Sequence, residues 1–467
     1  MSQCGIKFRA YPNNDQKLTL SQWMGCSRFI YNAKCDEFNY HTKFRNHSLQ
    51  LTGELIPIDQ AYSQFKTEDT LWLKLCPSQI LRNSAYRWNE AYWNYRNGIT
   101  KGLPKHKKKS GKQSIWLTSE LFKLESSQND KGETCYKLFI GTKRNSIGCL
   151  EFHTTREFKQ PNSITISKKN YKYYVSFNYE DGNKHFSYEE LVQQFNEFSD
   201  NELEQISEGL DRGVVIPLQS SSNIAFDFSL QQKKSFHKID HQIKKLQKKL
   251  ARQKIDSKRY FKTKLKIALL HEKAANIRRD FSHKSSRTLV DSDKQIFVLE
   301  DLKIANMTKA VESKLDESSK DIKKYLRNGK AAKSGLNKAI LGSCWGMLGE
   351  FLGYKGIRAN KLIVKVNARN TSQECAKCSH TQAENRITQD KFVCMNCGNE
   401  ENADLNAAKV IRSRGIKKVR ELAKEIKSRK SQVVKSELVS VGTRKRAHRG
   451  KVNQVQAKES EFVAQNP

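Results

Sequence analysis

The feature that most constrains this chain is a pair of Cys-x-x-Cys turns near its C-terminal end. Cys375 and Cys378 are followed, after fifteen residues, by Cys394 and Cys397. Two such pairs at this separation offer four thiolates from two tight turns with a hairpin between them, the donor set of a closed, structural Zn²⁺ site. The alternative is four unrelated reduced thiols. Gly398 follows the second pair, where the backbone often needs positive φ. Ser379 follows the first, where glycine would turn more comfortably. His380 is a spare donor beside a ligand set that four cysteines already fill. The other cysteines are scattered and the total is an odd eleven. That pattern fits a reducing cytosol with one metal site rather than a disulfide framework.

Charge narrows the partners. The chain has 467 residues, room for two or three domains. Lysine plus arginine number 85 against 49 acids, a formal net charge of +36. A surface so positive repels itself and calls for a polyanion, of which nucleic acid is the obvious one. Charge alone does not separate an enzyme from a merely adhesive basic protein, because it speaks to phosphate affinity and not to chemistry. No run of eighteen apolar residues offers a membrane span. The start, MSQCGIKFRAYP, lacks the pattern of a secretory signal. The expectation is a cytoplasmic protein.

Along the chain, Gly5 to Ala10 reads as a short strand, followed by a helix from Asn13 and mainly helical sequence from Ser27 to Asn97. Ile80, Tyr86, Trp88, Tyr92 and Tyr95 recur at near-helical spacing, a stripe that reads as core, with base stacking as the alternative. Residues 98–112 form a glycine-broken basic loop in which Lys105, Lys107, Lys108 and Lys109 are candidate phosphate contacts. From Ser114 to Tyr179 short β-prone runs separated by turns predict a small antiparallel sheet or barrel, which the N-terminal strand can join. Residues 181–208 read as a linker or insertion with a helix over Tyr188 to Phe198, and VVIPLQ reads as a strand. Residues 231–285 hold eighteen basic residues against four acids. Phe236, Ile239, Ile243, Leu246 and Leu250 predict a long amphipathic helix there, and Lys244, Lys245, Lys248 and Arg252 are further candidate nucleic-acid contacts. QIFVLEDL reads as a buried strand, 335–356 as a helix, LIVKVN as a strand, and ADLNAAKVIRSRG as a helix with a glycine stop. Beyond about Ser428 the tail is polar and basic, and disorder is expected.

Three carboxylates occupy telling places. Asp211 stands in GLDRGVV, at or beside the start of an apolar strand. Glu300 ends IFVLE. Asp404 lies at the front of a helix just past the cysteines. Acids at the ends of apolar strands are costly to bury unless paired or metal-bound. Hard carboxylate oxygens suit Mg²⁺ or Mn²⁺, and two such ions can drive phosphodiester hydrolysis. Gly213 leaves room near Asp211. Singly, Asp211 reads equally as a turn residue, Glu300 as a surface strand end and Asp404 as a helix N-cap.

At these residues the chain resembles the TnpB family, the OrfB-type proteins of insertion sequences related to compact type V CRISPR nucleases. GLDRGV, FVLEDLKIANMTK and ADLNAAKVI resemble its three RuvC-like acidic motifs, and NTSQECAKC with KFVCMNCG its zinc-ribbon insertion. KSGLNKAIL, LGYK, NIRRDFSHKSSRTLV, AYPNNDQ, GCSRFIYN and LPKHKKK also match, so that the resemblance spans most of residues 1–415.

The resemblance implies an α/β multidomain protein: an RNase H-like (RuvC) nuclease domain with an inserted zinc ribbon, and an N-terminal wedge-type β-barrel with a helical recognition insertion. The implied boundaries are 1–26 and 113–180 for the barrel, 27–112 for the helical part and basic loop, and 181–208 for the linker or insertion. The nuclease domain takes 209–370 and 401–427, the ribbon 371–400 and the tail 428–467. The implied activity is metal-dependent cleavage of double-stranded DNA by Asp211, Glu300 and Asp404 with Mg²⁺ or Mn²⁺. A guide RNA from the transposon end directs it, next to a short motif read by the protein. Gln79 falls where the family reads that motif. The alternatives are a nuclease-inactive guided repressor, which would typically lack one of the acids, and a simple zinc-ribbon RNA-binding protein, which would not need them. Ser379, the length of 181–208 and the unmatched tail depart from the family pattern.

Overall fold

The computed structural model describes residues 3–442 apart from 53–58, 129–133, 155, 181 and 316–324. It divides into two compact units, residues 1–184 and 185–467. No helix among the described residues is long and apolar enough to cross a membrane.

In the first unit β1 (Gln3–Ala10) leads into α1 (Asn14–Thr52), and α2 spans Ser78–Arg96. The strands β2 (Gln113–Thr118), β3 (Phe122–Gln128), β4 (Thr134–Gly141), β5 (Ser146–Leu150), β6 (Phe152–His153), β7 (Ser163–Lys169) and β8 (Lys172–Glu180) follow. They form a five-stranded sheet ordered β2-β7-β8-β1-β6 and a three-stranded one ordered β3-β4-β5. The N-terminal strand therefore joins the later strands as its pattern predicted, pairing with β8 from Gln3–Glu180 to Ala10–Tyr173. Alternation of buried and half-buried residues in β8 turns Tyr173, Val175 and Phe177 inward. Leu20 and Trp23 of α1 and Ile80 and Leu81 of α2 complete that core. The aromatic stripe divides: Ile80, Trp88 and Tyr92 are buried, whereas Tyr86 and Tyr95 are exposed.

The second unit opens with α3 (Tyr188–Asn196) and α4 (Asp200–Ile206), both begun by reciprocal Ser–Glu capping boxes at Ser187 and Ser199. Next come β9 (Ser207–Asp211), β10 (Leu218–Ser220) and β11 (Ala225–Phe226), then α5 (Leu230–Ala251) and α6 (Lys258–Asp291). β12 (Ile296–Glu300), α7 (Ile304–Met307), α8 (Lys330–Gly342), α9 (Trp345–Arg358), β13 (Leu362–Val366), β14 (Lys391–Val393), β15 (Glu400–Asn402) and α10 (Ala403–Gly442) complete it. The main sheet runs β11-β10-β9-β12-β13, with β9, β12 and β13 parallel and β10 and β11 antiparallel.

Helices cover both faces of this sheet, which is why IFVLE is buried at every position rather than alternately. Ile296 and Val298 pack with α3, α4 and α10, while Phe297 and Leu299 pack with Phe281 of α6 and with Leu348 and Leu352 of α9.

Four expectations are corrected here. Residues 188–206 are not a linker: Leu191, Val192, Phe195 and Leu203 lie in one core with Val419 and Ala423 of α10. The strand beside the acid is SEGLD, so Asp211 ends it; of VVIPLQ only Leu218 and Gln219 are in a strand, β10, and Val214 and Val215 are exposed. The segments 231–285 and 335–356 each hold two helices; Cys344, at φ +66°, breaks the second. Finally, α10 runs through Gly415 and on to Gly442 instead of stopping, so residues 428–442 are helical; 443–467 lie outside the described residues.

Gly415 is there for contact rather than termination. A Cβ at this position would lie 2.2 Å from Val298 Cγ2, and one at Gly209 would lie 2.0 Å from the Ala408 carbonyl oxygen. Both glycines let α10 settle directly on β9 and β12. Gly209→Ala meets rigid backbone, so it is expected to cost about 3 kcal/mol or more, at or above the top of the usual overpacking range. A urea midpoint unchanged from wild type would contradict this close approach.

Candidate active site and metal centre

The site is assembled by strand register and one helix end. Leu299 pairs with Leu210, so Glu300 stands level with Asp211 on the next parallel strand, about 4.8 Å away backbone to backbone. Leu210 and Leu299 face the α6–α9 side. Side chains alternate, so Asp211 and Glu300 face the α10 side, together with Gly209 and Val298. Asp404 is the second residue of α10. The helix cap is not Asp404 but Asn402, whose Oδ1 accepts from the Asp404 and Leu405 amides at 3.0 and 3.1 Å. The Asp404 carboxylate is thereby left for other work.

Three acids from distant segments thus share one neighbourhood, and their electrostatics record it. Burial, then the Glu300 and Asp404 carboxylates, raise the Asp211 pKa to about 7. Asp404 is also pushed upward, chiefly by burial. Glu300 is only 7% exposed and accepts from Thr371 Oγ1 at 2.6 Å. It is no surface strand end; the neighbouring Asp301 is the exposed acid, paired with Lys303. The carboxylates are looser than the cysteine cluster, which is the only set of three or more potential metal ligands within 4.8 Å among the described residues. A Cβ at Gly213 would stand 3.8 Å from Asp404 Oδ2.

Two arginines that the sequence did not single out complete the site. Arg386 Nη2 lies 3.3 Å from Asp404 Oδ1, and its charge also lowers the Asp211 pKa against the acids that raise it. Arg212, half-buried, follows Asp211 and donates to the Glu300 carbonyl oxygen. Nothing in AENRITQD marks Arg386 locally, since its partner is eighteen residues away. Not every buried acid here belongs to the site. Glu208, also on β9, is satisfied by the Ser221 hydroxyl and by the Ser222 amide and hydroxyl, a structural knot.

The cysteines form two matching knuckles. Ser379 and Gly398 donate their amides to the Cys375 and Cys394 carbonyls, both at 2.9 Å, with φ of +61° and +66°. Serine therefore adopts the turn that glycine adopts in the second knuckle. The Cys375–Cys397 and Cys378–Cys394 sulfurs are 3.7 and 3.5 Å apart, and all four lie within 4.8 Å of one another. Sulfurs at the corners of a Zn–S tetrahedron of about 2.3 Å bonds stand about 3.8 Å apart, so the donor set fits zinc. The His380 amide lowers the Cys378 pKa, favouring thiolate. The His380 ring bonds Gln382, not the cluster. Asn385, wholly buried, ties the knuckles by donating to Gln373 O and accepting from the Met395 amide, each at 2.9 Å.

The candidate nucleic-acid residues are placed separately. Lys244 pairs with Asp240 on α5, and Lys245, Lys248 and Arg252 are exposed on that helix or at its end. In the first unit, Gln79 occupies the opening turn of α2. Lys105, Lys108 and Lys109 are exposed. Lys107 is exposed too, but its Nζ lies 3.4 Å from the Tyr31 ring centroid, and partial desolvation, with Arg87 and Lys112 nearby, lowers its pKa to about 8.

Family comparisons follow the same segments. Residues 204–311 match the OrfB IS605 family, described as "Probable transposase", and residues 345–411 the "Cas12f1-like, TNB domain". Residues 1–34 match the helix-turn-helix domain of OrfB IS605 proteins. The chain is of the TnpB type. In this TnpB-type chain the described part of the third match is β1 followed by the first half of α1. It is 29% identical over 416 residues to the "Putative RNA-guided DNA endonuclease InsQ" of Escherichia coli K12, covering 88% of this chain and 92% of that protein. It is 23% identical to the "Putative RNA-guided DNA endonuclease" of Streptomyces pristinaespiralis, covering 88% and 89%. Over 74 residues, 16% of this chain and 17% of the other, it is 40% identical to the "CRISPR-associated endodeoxyribonuclease Cas12f1" of Sulfoacidibacillus thermotolerans.

Proposed function

We propose that this protein is the RNA-guided DNA endonuclease of a bacterial insertion sequence, cutting next to a short adjacent motif with Asp211, Glu300 and Asp404. The observation that carries the proposal is their convergence from β9, β12 and α10, where burial, and after it the Glu300 and Asp404 charges, raise the Asp211 pKa to about 7. Mutual repulsion among buried carboxylates is costly, and a divalent cation relieves it. Mg²⁺ or Mn²⁺ is the fitting ion for an all-oxygen set, and when bound it supplies a nucleophilic water and charge stabilisation for phosphodiester hydrolysis. Thr371 orients Glu300, and Arg386 braces Asp404 while holding positive charge where a phosphate would approach.

The mixed sheet with acids at the ends of adjacent parallel strands supports the RNase H-like (RuvC) reading of the second unit. The two sheets of the first unit, packed with α1 and α2, support a wedge-type module with a helical insertion. The net charge of +36 suits a guide RNA from the transposon end and target double-stranded DNA, bound mainly through phosphates.

The deciding experiment purifies the protein with its RNA, sequences that RNA and offers a plasmid carrying the complementary target in Mg²⁺. Cutting at the target, lost on RNase treatment, is the expected result. Target binding without cutting would mark a guided repressor, and cutting that survives RNase would remove RNA guidance.

A further inference from the structure

Within the first unit, a pocket of about 220 Å³ opens between α1, α2, β2, β7 and the basic loop 98–112. Strand alternation makes one wall. Ile115 and Leu117 of β2 and Ile164 and Ile166 of β7 point into the core, so Ser114, Trp116 and Thr165 face the opposite side and line the pocket. Helix α2 lies over that side: Asn83 Nδ2 donates to the Trp116 carbonyl and to Thr118 Oγ1, both at 3.2 Å. The hydroxyls of Ser84 on α2 and Ser27 on α1 meet at 2.7 Å and line the depth of the pocket. Arg87, Lys107 and Lys112 complete the lining, all three exposed.

The cations are held in place. Asn32 of α1 clamps the Lys107 backbone from both ends, its Oδ1 accepting from the amide at 2.8 Å and its Nδ2 donating to the carbonyl at 3.1 Å. Gln113 Nε2 gathers the Lys108, Lys109 and Gly111 carbonyls at 3.0 to 3.2 Å, while Arg28 holds the Gln113 oxygen at 2.6 Å. Arg87 stacks over the Trp116 ring, 4.6 Å from its centroid. This basic segment is therefore folded around two amide side chains, not a freely solvated loop.

No acid is among the nine lining residues. Asp36 of α1 is engaged by His106 at 2.8 Å, and Glu90 reaches Arg87 only at 3.8 Å, with both side chains about half exposed, a weak pair. The Lys107 charge instead meets those of Arg87 and Lys112, which oppose it. The Ser114 and Thr165 hydroxyls have no protein partner among the described residues. Three cations and unspent hydroxyls supply donors from several sides, the demand of a tetrahedral oxyanion more than of a flat carboxylate. The volume is below the roughly 300 Å³ at which whole small-molecule sites begin, so it suits one phosphate group rather than a nucleotide. Lys105, Lys108 and Lys109, exposed on the same loop, stand ready for the neighbouring phosphates of a chain, which a lone anion would leave unused.

We propose that this pocket grips one particular backbone phosphate of the bound nucleic acid, with Arg87, Lys107 and Lys112 at its mouth and the Ser114 and Thr165 hydroxyls inside. The inference rests on the RNA-guided reading above, and the same chemistry serves a phosphate of the guide RNA or of the target DNA.

Phosphate ethylation, which removes the charge of one backbone phosphate at a time, tests it. In one arm the full chain is assembled with sparsely ethylated guide RNA. In the other, the Asp211→Asn protein with intact RNA is offered sparsely ethylated target DNA. One position in one arm is expected to be excluded from the bound fraction. Lys112→Gln, and separately Thr165→Val, which changes no charge and suits a strand, should each cancel the exclusion at that position alone. Lys112→Gln should also weaken binding about tenfold or more, the range of a lost charged hydrogen bond, and lower the salt slope by about one. Lys109→Gln should leave the exclusion in place. A pattern that neither Lys112→Gln nor Thr165→Val alters overturns the pocket, as does binding of an acidic peptide that competes there without displacing nucleic acid. The readout is binding rather than cutting, so a wild-type complex that shows the exclusion but does not cut its target would overturn the nuclease reading alone.

Discussion

Asp211→Asn abolishes target cutting, by about a thousandfold or more, and at the same time makes the metal-free protein more stable at pH 8. The first effect follows from what the carboxylate does. Metal-assisted charge stabilisation is worth several kcal/mol, and each 1.36 kcal/mol is a factor of ten in rate. The second follows from the raised pKa, about 7 against an ordinary 3.8. Below pH 3.8 both folded and unfolded chains hold the proton and the residue is neutral for stability. Between 3.8 and 7 only the folded chain holds it, so stability falls as pH rises; above 7 the full penalty is present. A displacement of this size corresponds to on the order of 4 kcal/mol. Asparagine removes that penalty, so its advantage in melting temperature should be large at pH 8 and shrink toward pH 4. Mn²⁺ or Mg²⁺ should raise the wild-type melting temperature at pH 8 by binding only the folded site, and raise that of the variant much less. Equal melting temperatures for the two proteins at pH 8, or normal cutting by the variant, would disprove the role given to Asp211.

Removing zinc disables cutting although none of the acids is touched. Structural zinc contributes on the order of 10–16 kcal/mol in small zinc folds, comparable with the total stability of a domain. The ribbon has little else: a two-stranded sheet and a core of four side chains, two of them ligands. Its loss propagates to the site by named bonds. Arg386 leaves Asp404. The ties from the Ala376 amide to Asn406 Oδ1 at 2.9 Å and from Asn406 Nδ2 to the Glu374 carbonyl at 2.7 Å, which hold the first turns of α10, go as well. Chelation or Cys394→Ser should therefore release one zinc per chain, expose residues 371–402 to proteolysis and end cutting. Cys149→Ser, at an exposed cysteine of β5, should do none of these. Full activity in a chain shown to be zinc-free would sink the argument.

How much of this was legible beforehand depended on the range of the interaction. The knuckles were readable because their geometry is local: the amide of Ser379 bonds Cys375 and that of Gly398 bonds Cys394, each four residues back. IFVLE was readable because a continuous apolar run suits a strand covered on both faces, and LIVKVN because Leu362, Val364 and Val366 alternate inward. Gly415 was misread as a stop, since the residue that makes glycine necessary there is Val298, on another element. Residues 188–206 looked like a linker because their polar face is all that composition reports; the apolar side of α3 meets α10 more than two hundred residues later.

By itself the sequence determined the donor types, four soft thiolates at knuckle spacing and three hard acids at element ends, together with the surplus of cations that demands a polyanion. These are properties of residue identity and of turns closed within a few residues. Only the tertiary structure decided that Asn402 rather than Asp404 caps α10, that Arg386 faces the acids, and that Asp211 and Glu300 share the side on which α10 lies. Those outcomes depend on strand register and on a helix seated against two glycines, and such long-range contacts leave no local trace in the chain.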